Sequence, residues 1–362
     1  MTRNDLLKSI SQKVSNYRLG EIDTITPSKV NRWVSQFEDF EQLVILEEID
    51  NILNQCYFSR DRIKSSFKEF LKNKEIVGFN VKEGLVKLDF IHIQKQGNSQ
   101  REMLELVDEI LQEDYNLNIN KCGGYNLFLY IDDCIFSGNR FKYDILDWLG
   151  DKGTPPNSIL YTYHVGIHQN GFNYAYKNIK STADKKNIKV NSYAEYCIND
   201  NRSVGSNIDI LWPKEYFNKD IKDYWERLIA RCDEKGWNYP RFRDFRTPSV
   251  EGLFSTAANR DIVEKAFLRV GAKLIMAADN PAPSMRPLGF EKLESLGFGS
   301  PFITYRNIAN NCPLALWYGD PDNFPETHPF GSWYPLFPRR TNHNDFSNTV
   351  WGEDLFVWQE NI

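Results

Sequence analysis

Apolar positions recur at helical spacing over the first 75 residues or so. Val30, Trp33, Val34 and Phe37 follow Thr26-Pro27, a capping residue with proline at the first helical position. Phe40, Leu43, Val44, Leu46, Ile49, Ile52 and Leu53 then keep the helical period for more than three turns. Residues 1–77 are therefore expected to form an N-terminal helical region. From residue 78 the pattern changes to short β-type runs at 86–93, 125–131 and 159–167, separated by helical stretches at 101–111 and 141–148. That alternation predicts an α/β core over 78–280, a parallel sheet built from right-handed crossovers and flanked by helices. Within it, one helix is expected around Tyr224, Trp225, Leu228 and Ile229. Another is expected from Asn259 to Val270, closed by Gly271, with 272–277 as a further strand. Residues 281–362, rich in proline, glycine and tryptophan, are expected to be an irregular cap.

Composition narrows the function classes. The chain has 362 residues, a net charge of -5 and 26% charged residues, with neither a basic block nor an acidic tail. This describes an ordinary solvated surface and argues against a dedicated nucleic-acid-coating protein, though not against a local basic groove. No apolar stretch reaches the ~18 residues a membrane helix needs, and the first ten residues are polar, so a cytoplasmic protein that does not enter membranes is expected. Cys56, Cys122, Cys134, Cys197, Cys232 and Cys312 contain no CxxC pair, which excludes a zinc ribbon or a dithiol redox motif and predicts reduced, mostly buried thiols. His164 and His168 share a face at four-residue spacing, but no third ligand accompanies them, so a structural role is expected. The nine tryptophans, weighted toward the C-terminus, predict an apolar face or a dense core there.

The chemistry concentrates in one run, Leu129-Tyr130-Ile131-Asp132-Asp133-Cys134-Ile135-Phe136-Ser137-Gly138-Asn139-Arg140. A hydrophobic strand ends in two acids, and a Ser-Gly turn then opens a helix near Phe141. Ligands of α/β sheets bind at the carboxyl edge of the strands. Free N–H groups at a helix start suit a phosphate, and carboxylates accept hydrogen bonds from sugar hydroxyls. An earlier strand leads in the same way into Gln94-Lys95-Gln96-Gly97-Asn98-Ser99 and a helix. There Lys95 supplies charge and the amides of Gly97, Asn98 and Ser99 face a ligand, although Ser99 by itself also reads as a helix cap. Arg241, Arg243 and Arg246, interleaved with Phe242 and Phe245, read either as a nucleotide or nucleic-acid groove or as a solvated loop. Asn310-Asn311 reads as a turn or as amides that face a base edge.

The Asp-Asp run resembles the signature of the type I phosphoribosyltransferases, so the resemblance implies that fold, with a C-terminal hood. It further implies that Asp132 and Asp133 hold ribose hydroxyls and, indirectly, Mg²⁺. Ser137, Gly138, Asn139 and Arg140 would hold the 5-phosphate of phosphoribosyl pyrophosphate, and Lys95, Gly97, Asn98 and Ser99 its pyrophosphate. Phe136 replaces the usual small residue, and Asn139-Arg140 replaces the common Gly-Thr. A narrower resemblance spans residues 27–340, to the phosphoribosyltransferase-like (PRTase-CE type) proteins of bacterial conflict and anti-phage systems, some encoded beside retron reverse transcriptases. It is carried by Arg32-Trp33-Val34-Ser35-Gln36-Phe37, Gly97-Asn98-Ser99, the Asp-Asp run and Asn310-Asn311-Cys312-Pro313-Leu314-Ala315-Leu316-Trp317. It implies a defence effector that binds phosphoribosyl pyrophosphate or a nucleotide and carries out Mg²⁺-dependent ribosyl transfer or hydrolysis. A reverse transcriptase with its nucleic acid, or another defence-system protein, would be its partner. The alternative is a non-catalytic module of the same fold that senses a nucleotide or binds a partner.

Overall fold

The computed structural model describes residues 1–95, 97–151, 154–202, 208–244, 253–278, 281–291 and 295–340. The chain opens with helices α1 (Arg3–Lys13), α2 (Pro27–Val34) and α3 (Asp39–Cys56), then a two-residue strand β1 (Tyr57–Phe58). Helices α4 (Arg60–Phe70), α5 (Lys74–Val77) and α6 (Val81–Val86) lead into the alternating part. This consists of β2 (Leu88–Phe90), α7 (Ser99–Tyr115), β3 (Leu127–Ile135), α8 (Asn139–Gly150), β4 (Ile159–His168), α9 (Gln169–Lys185) and β5 (Lys189–Ile198). Two long helices follow, α10 (Lys219–Lys235) and α11 (Ala257–Met276), then β6 (Ile303–Thr304), β7 (Asn307–Ile308) and the short α12 (Leu314–Trp317).

The chain divides into two compact units, one made of Met1–Ser59 with Arg202–Ile362 and the other of Arg60–Asn201. The breaks expected at 77 and 280 coincide with neither boundary. In the unit Arg60–Asn201, four parallel strands lie in the order β2-β3-β4-β5, so neighbours in sequence are neighbours in the sheet. The α/β architecture with a parallel sheet flanked by helices is as the alternation predicts. One core lies between the sheet and helices α8 and α9: Tyr130 and Leu160 from the strands meet Phe141, Ile145 and Leu149 of α8 and Ala175, Ile179 and Ala183 of α9. Side chains alternate along a strand, so Tyr163 leaves β4 the other way. There its ring meets Phe70 and Phe67 of α4 at 4.2 and 5.6 Å. Strand β4 is buried along nearly its whole length, as a central parallel strand covered on both faces must be.

In the other unit, β1 pairs parallel with β6, and β6 antiparallel with β7. The tryptophan-rich half builds a dense core rather than an open face: Phe37 lies 5.2 Å from the Trp333 ring, 5.3 Å from Trp33 and 5.7 Å from Phe267. Trp351 and Trp358 lie outside the described residues. Thr26 caps α2 as its sequence predicts, its hydroxyl accepting from the Lys29 amide at 3.3 Å. Helix α11, by contrast, does not stop at Gly271. It is capped by Thr256 and runs on to Met276, so 272–277 is helix and not strand. Gly271 is there for close packing, because a Cβ on it would lie 2.5 Å from the Cα of Pro287. Three cysteines are buried, Cys122 and Cys134 are half-buried, and Cys197 is exposed, so burial of the thiols is less general than expected. No described helix is long and apolar enough to cross a membrane.

Candidate functional site

Strands β2 and β3 lie side by side, and each carboxyl end feeds a turn into a helix. After β3, Gly138 is the residue before α8 and has φ +79°, a left-handed conformation that favours glycine. Its missing side chain matters sterically as well. A Cβ there would sit 2.1 Å from the carbonyl oxygen of Gly171, and one on Gly171 would sit 1.8 Å from that of Phe136. The turn is thus pressed backbone to backbone against the first turn of α9. A side chain at Gly138 would collide with α9. Ser137 and Arg140 are exposed and Asn139 is half-buried. Gly138 offers no side chain to the first N–H groups of α8, which leaves that positive helix end without a side-chain cap.

After β2 the turn is held by side-chain amides. The Oε1 of Gln100 accepts the amides of Ile93 and Gln94 at 2.8 Å each, and its Nε2 donates to the Ile91 carbonyl at 3.1 Å. Gln94 Oε1 accepts the Gln100 amide at 3.1 Å, while its Nε2 donates to Ser99 Oγ at 2.9 Å. Asn98, exposed, is the residue before α7, so Ser99 is the first helical residue rather than the cap, and its hydroxyl is buried in the Gln94 contact. Lys95 is exposed and ion-paired with Asp147 of α8, which raises its pKa chiefly through that hydrogen bond. Gln96 lies outside the described residues.

The two turns converge. The Arg140 guanidinium lies against Gly97, 3.3 Å from where a Cβ on that glycine would be. Asp144 lies a turn after Arg140 on α8. Asp144 is buried, with its Oδ2 unpartnered. Burial pushes its pKa up to about 6, against the pull of Arg140 and with the push of Asp132 and Asp147. The sequence offered a signal for this group, since Arg140, Asp144 and Asp147 recur at helical spacing on one face of α8.

The acid pair is placed differently from the expectation. Strand β3 runs on to Ile135, so Asp132 and Asp133 lie inside it rather than at its end. Asp132 is 6% exposed, not solvent-facing. Its Oδ2 accepts the Tyr130 hydroxyl at 3.1 Å and its Oδ1 the Asp133 amide at 2.8 Å. Asp133 is half-buried, and its Oδ1 takes the Cys134 amide at 2.7 Å. Asp132 is in register with His164, whose ring is fully buried between Tyr130 and Phe141 at 5.6 and 4.7 Å, with neither nitrogen hydrogen-bonded. Burial pushes the His164 pKa down to about 3, so the ring is neutral. His168 stacks on Phe136 at 5.3 Å.

Among the described residues, no group of three or more His, Cys, Asp or Glu side chains is placed to hold a metal. Two adjacent carboxylates suit a Mg²⁺ that keeps waters and phosphate oxygens as most of its ligands, rather than an all-protein cage. Of the arginine run, read either as a groove or as a solvated loop, Arg241 is exposed. Arg243 is buried and ion-paired with Asp261 at 2.7 Å and Glu264 at 2.8 Å, while Phe245 and Arg246 lie outside the described residues. Asn311 donates its side-chain amide to the Phe290 carbonyl at 2.9 Å, which fits the turn reading.

The family model PRTase-CE matches residues 30–339, and the chain belongs to that family. No curated protein matches the chain, and no solved structure matches it.

Proposed function

From that membership and the convergence of the two turns, we propose that the sheet edge at β2 and β3 binds the ribose-phosphate part of phosphoribosyl pyrophosphate or of a nucleotide. Ser137, Gly138, Asn139 and Arg140 hold the 5-phosphate, and Lys95, Gly97, Asn98 and Ser99 the pyrophosphate. Asp132 and Asp133 take the ribose hydroxyls. The observation that carries this reading is the Arg140 guanidinium against Gly97, which puts one cation within reach of both anion sites. Asp132 and Asp133 would hold, only indirectly, a Mg²⁺ arriving with the pyrophosphate, which would supply charge neutralisation for the leaving group. The chain's own residues position the ribose and neutralise developing charge while its C1 passes to water or another acceptor, the general means of catalysis when a polyphosphate leaves. We place this activity in a bacterial anti-phage system, with a reverse transcriptase and its nucleic acid, or another defence protein, as partner. What supports that setting is the order of motifs from Arg32 to Trp317.

A second reading, a non-catalytic nucleotide sensor, is favoured by one observation: Asp132 is buried with both oxygens already engaged. Calorimetric titration with phosphoribosyl pyrophosphate and Mg²⁺, followed by mass spectrometry for released pyrophosphate, separates the two. Binding with turnover, lost in Asp132→Asn/Asp133→Asn, supports the enzyme. Binding without turnover supports the sensor, and no binding overturns both.

A further inference from the structure

Helices α8 and α9 pack side by side on one face of the sheet. In a chain whose net charge is -5, α8 carries no acid before Asp144 and α9 none before Asp184. Between the two helices Lys142 is wedged among aromatic rings. Its ammonium donates to the Tyr174 hydroxyl at 2.6 Å and lies 4.1 Å from the centre of the Tyr143 ring and 4.7 Å from that of Tyr174. Lys142 itself is 7% exposed, and among the described residues no carboxylate pairs with it. The two rings are open to solvent, Tyr143 at 39% and Tyr174 at 47%. One turn after Tyr174 on α9 stands Lys177, exposed. A single exposed tyrosine is ordinary on a protein surface. Two of them clamped around one cation have given up their rotamer freedom in advance and still present an open ring face.

We propose that this face of α8 and α9 binds single-stranded nucleic acid: unpaired bases stack on Tyr143 and Tyr174, and Lys177 takes a phosphate beside them. Lys142 is the positioning residue, fixing both rings from behind. Rings and cations interleaved on a surface without acids suit a ligand that offers π-faces and phosphates together. A duplex hides its base faces, so it would engage Lys177 and leave the rings idle. An acidic protein segment would likewise use the cation and not the stacking surface. The inference does not depend on the ribose-phosphate reading of the two turns.

The probe is a short fluorescent oligothymidylate, followed by anisotropy over a series of salt concentrations, with the same strand in a duplex for comparison. Tyr143→Ala and Tyr174→Ala should each weaken binding about tenfold, whereas Tyr143→Phe and Tyr174→Phe, which keep the ring, should stay within about twofold of the wild type. Lys177→Met should lower the slope of log affinity against log salt by about 0.7, the share of one phosphate contact on a single strand. The duplex should bind at least about tenfold more weakly than the strand. Absence of binding at low salt, alanine variants that bind as the wild type does, or a duplex bound as tightly as the strand overturns the proposal. Phenylalanine variants as weak as the alanines would assign the contact to the hydroxyls and overturn the stacking. Lys177→Met alters an exposed side chain alone, so an unchanged salt slope there overturns the phosphate contact even where an alanine variant fails to fold. Titration of Tyr174→Ala with phosphoribosyl pyrophosphate should match the wild type, so failure of the ribose-phosphate reading and failure of this one are seen separately.

Discussion

The turn after β3 and the turn after β2 do similar topological work with different materials. The first is shaped by absence: Gly138 and Gly171 have no side chains, so backbone rests on backbone, and φ +79° at Gly138 completes the turn. The second is shaped by presence: Gln94 and Gln100 fill it with amides that substitute for a regular ladder. Steric closure is all or nothing, because an added atom must push an entire helix aside. A hydrogen-bonded clasp can lose one strand of its knot and keep its outline. The part of the site expected to carry the 5-phosphate is thus bound to the fold itself, and the part expected to carry pyrophosphate is adjustable.

Three substitutions test that contrast, in decreasing order of effect. Gly138→Val combines overlap with the Gly171 carbonyl and a left-handed backbone angle. Together these should remove about 4 kcal/mol of stability in denaturant unfolding. A variant that unfolds near the wild-type midpoint would show that α9 yields easily and that the contrast is false. Gln100→Leu leaves the amides of Ile93 and Gln94 without their acceptor in a fully buried place, and should lose about 2 kcal/mol while the sheet keeps its hydrogen-exchange protection. Loss of protection in β3 as well would mean that the clasp is structural throughout.

The third substitution is His164→Leu, beneath the first turn. His164 titrates near 3 when folded and near 6.5 when unfolded, so the unfolded chain binds the extra proton. This group's contribution is therefore complete above pH 6.5 and is lost as pH falls from there toward 3. Leucine should abolish that part of the acid sensitivity and, at pH 7, change stability by no more than about 1 kcal/mol, since two unpartnered ring nitrogens disappear with the histidine. An unaltered acid limb would show that the ring finds a partner when protonated.

Much of this was legible from residue order. The alternation of apolar runs gave the parallel sheet, and Thr26-Pro27 gave the start of α2, because both signals are local. The errors were made where tertiary contacts overrule local rules. Gly271 reads as a helix stop, but it exists for Pro287, a residue sixteen positions on that no helical pattern announces. Arg243 reads as a surface arginine until Asp261 and Glu264, on the next long helix, close over it. Asp132 and Asp133 read as a strand end because charge usually marks one, whereas β3 continues for two further residues and buries the first acid. The burial of Asp144 is not written in its residue type, because an acid on an amphipathic helix ordinarily faces water.

The two-unit division has a consequence for the order in which the protein can be completed on a ribosome. Residues Arg60–Asn201 are continuous, and their strands pair with their immediate successors, so this unit can close as it is synthesised. The other unit joins Met1–Ser59 to segments beyond Arg202. Trp33, fully buried, donates its indole N–H to the carbonyl of Ala315 at 2.8 Å, a bond whose acceptor does not exist until most of the chain has been translated. During that interval the face of α3 that packs on α11 lacks its final partner. A nascent chain of this protein therefore carries a finished parallel sheet behind an unfinished, chaperone-attracting N-terminal segment.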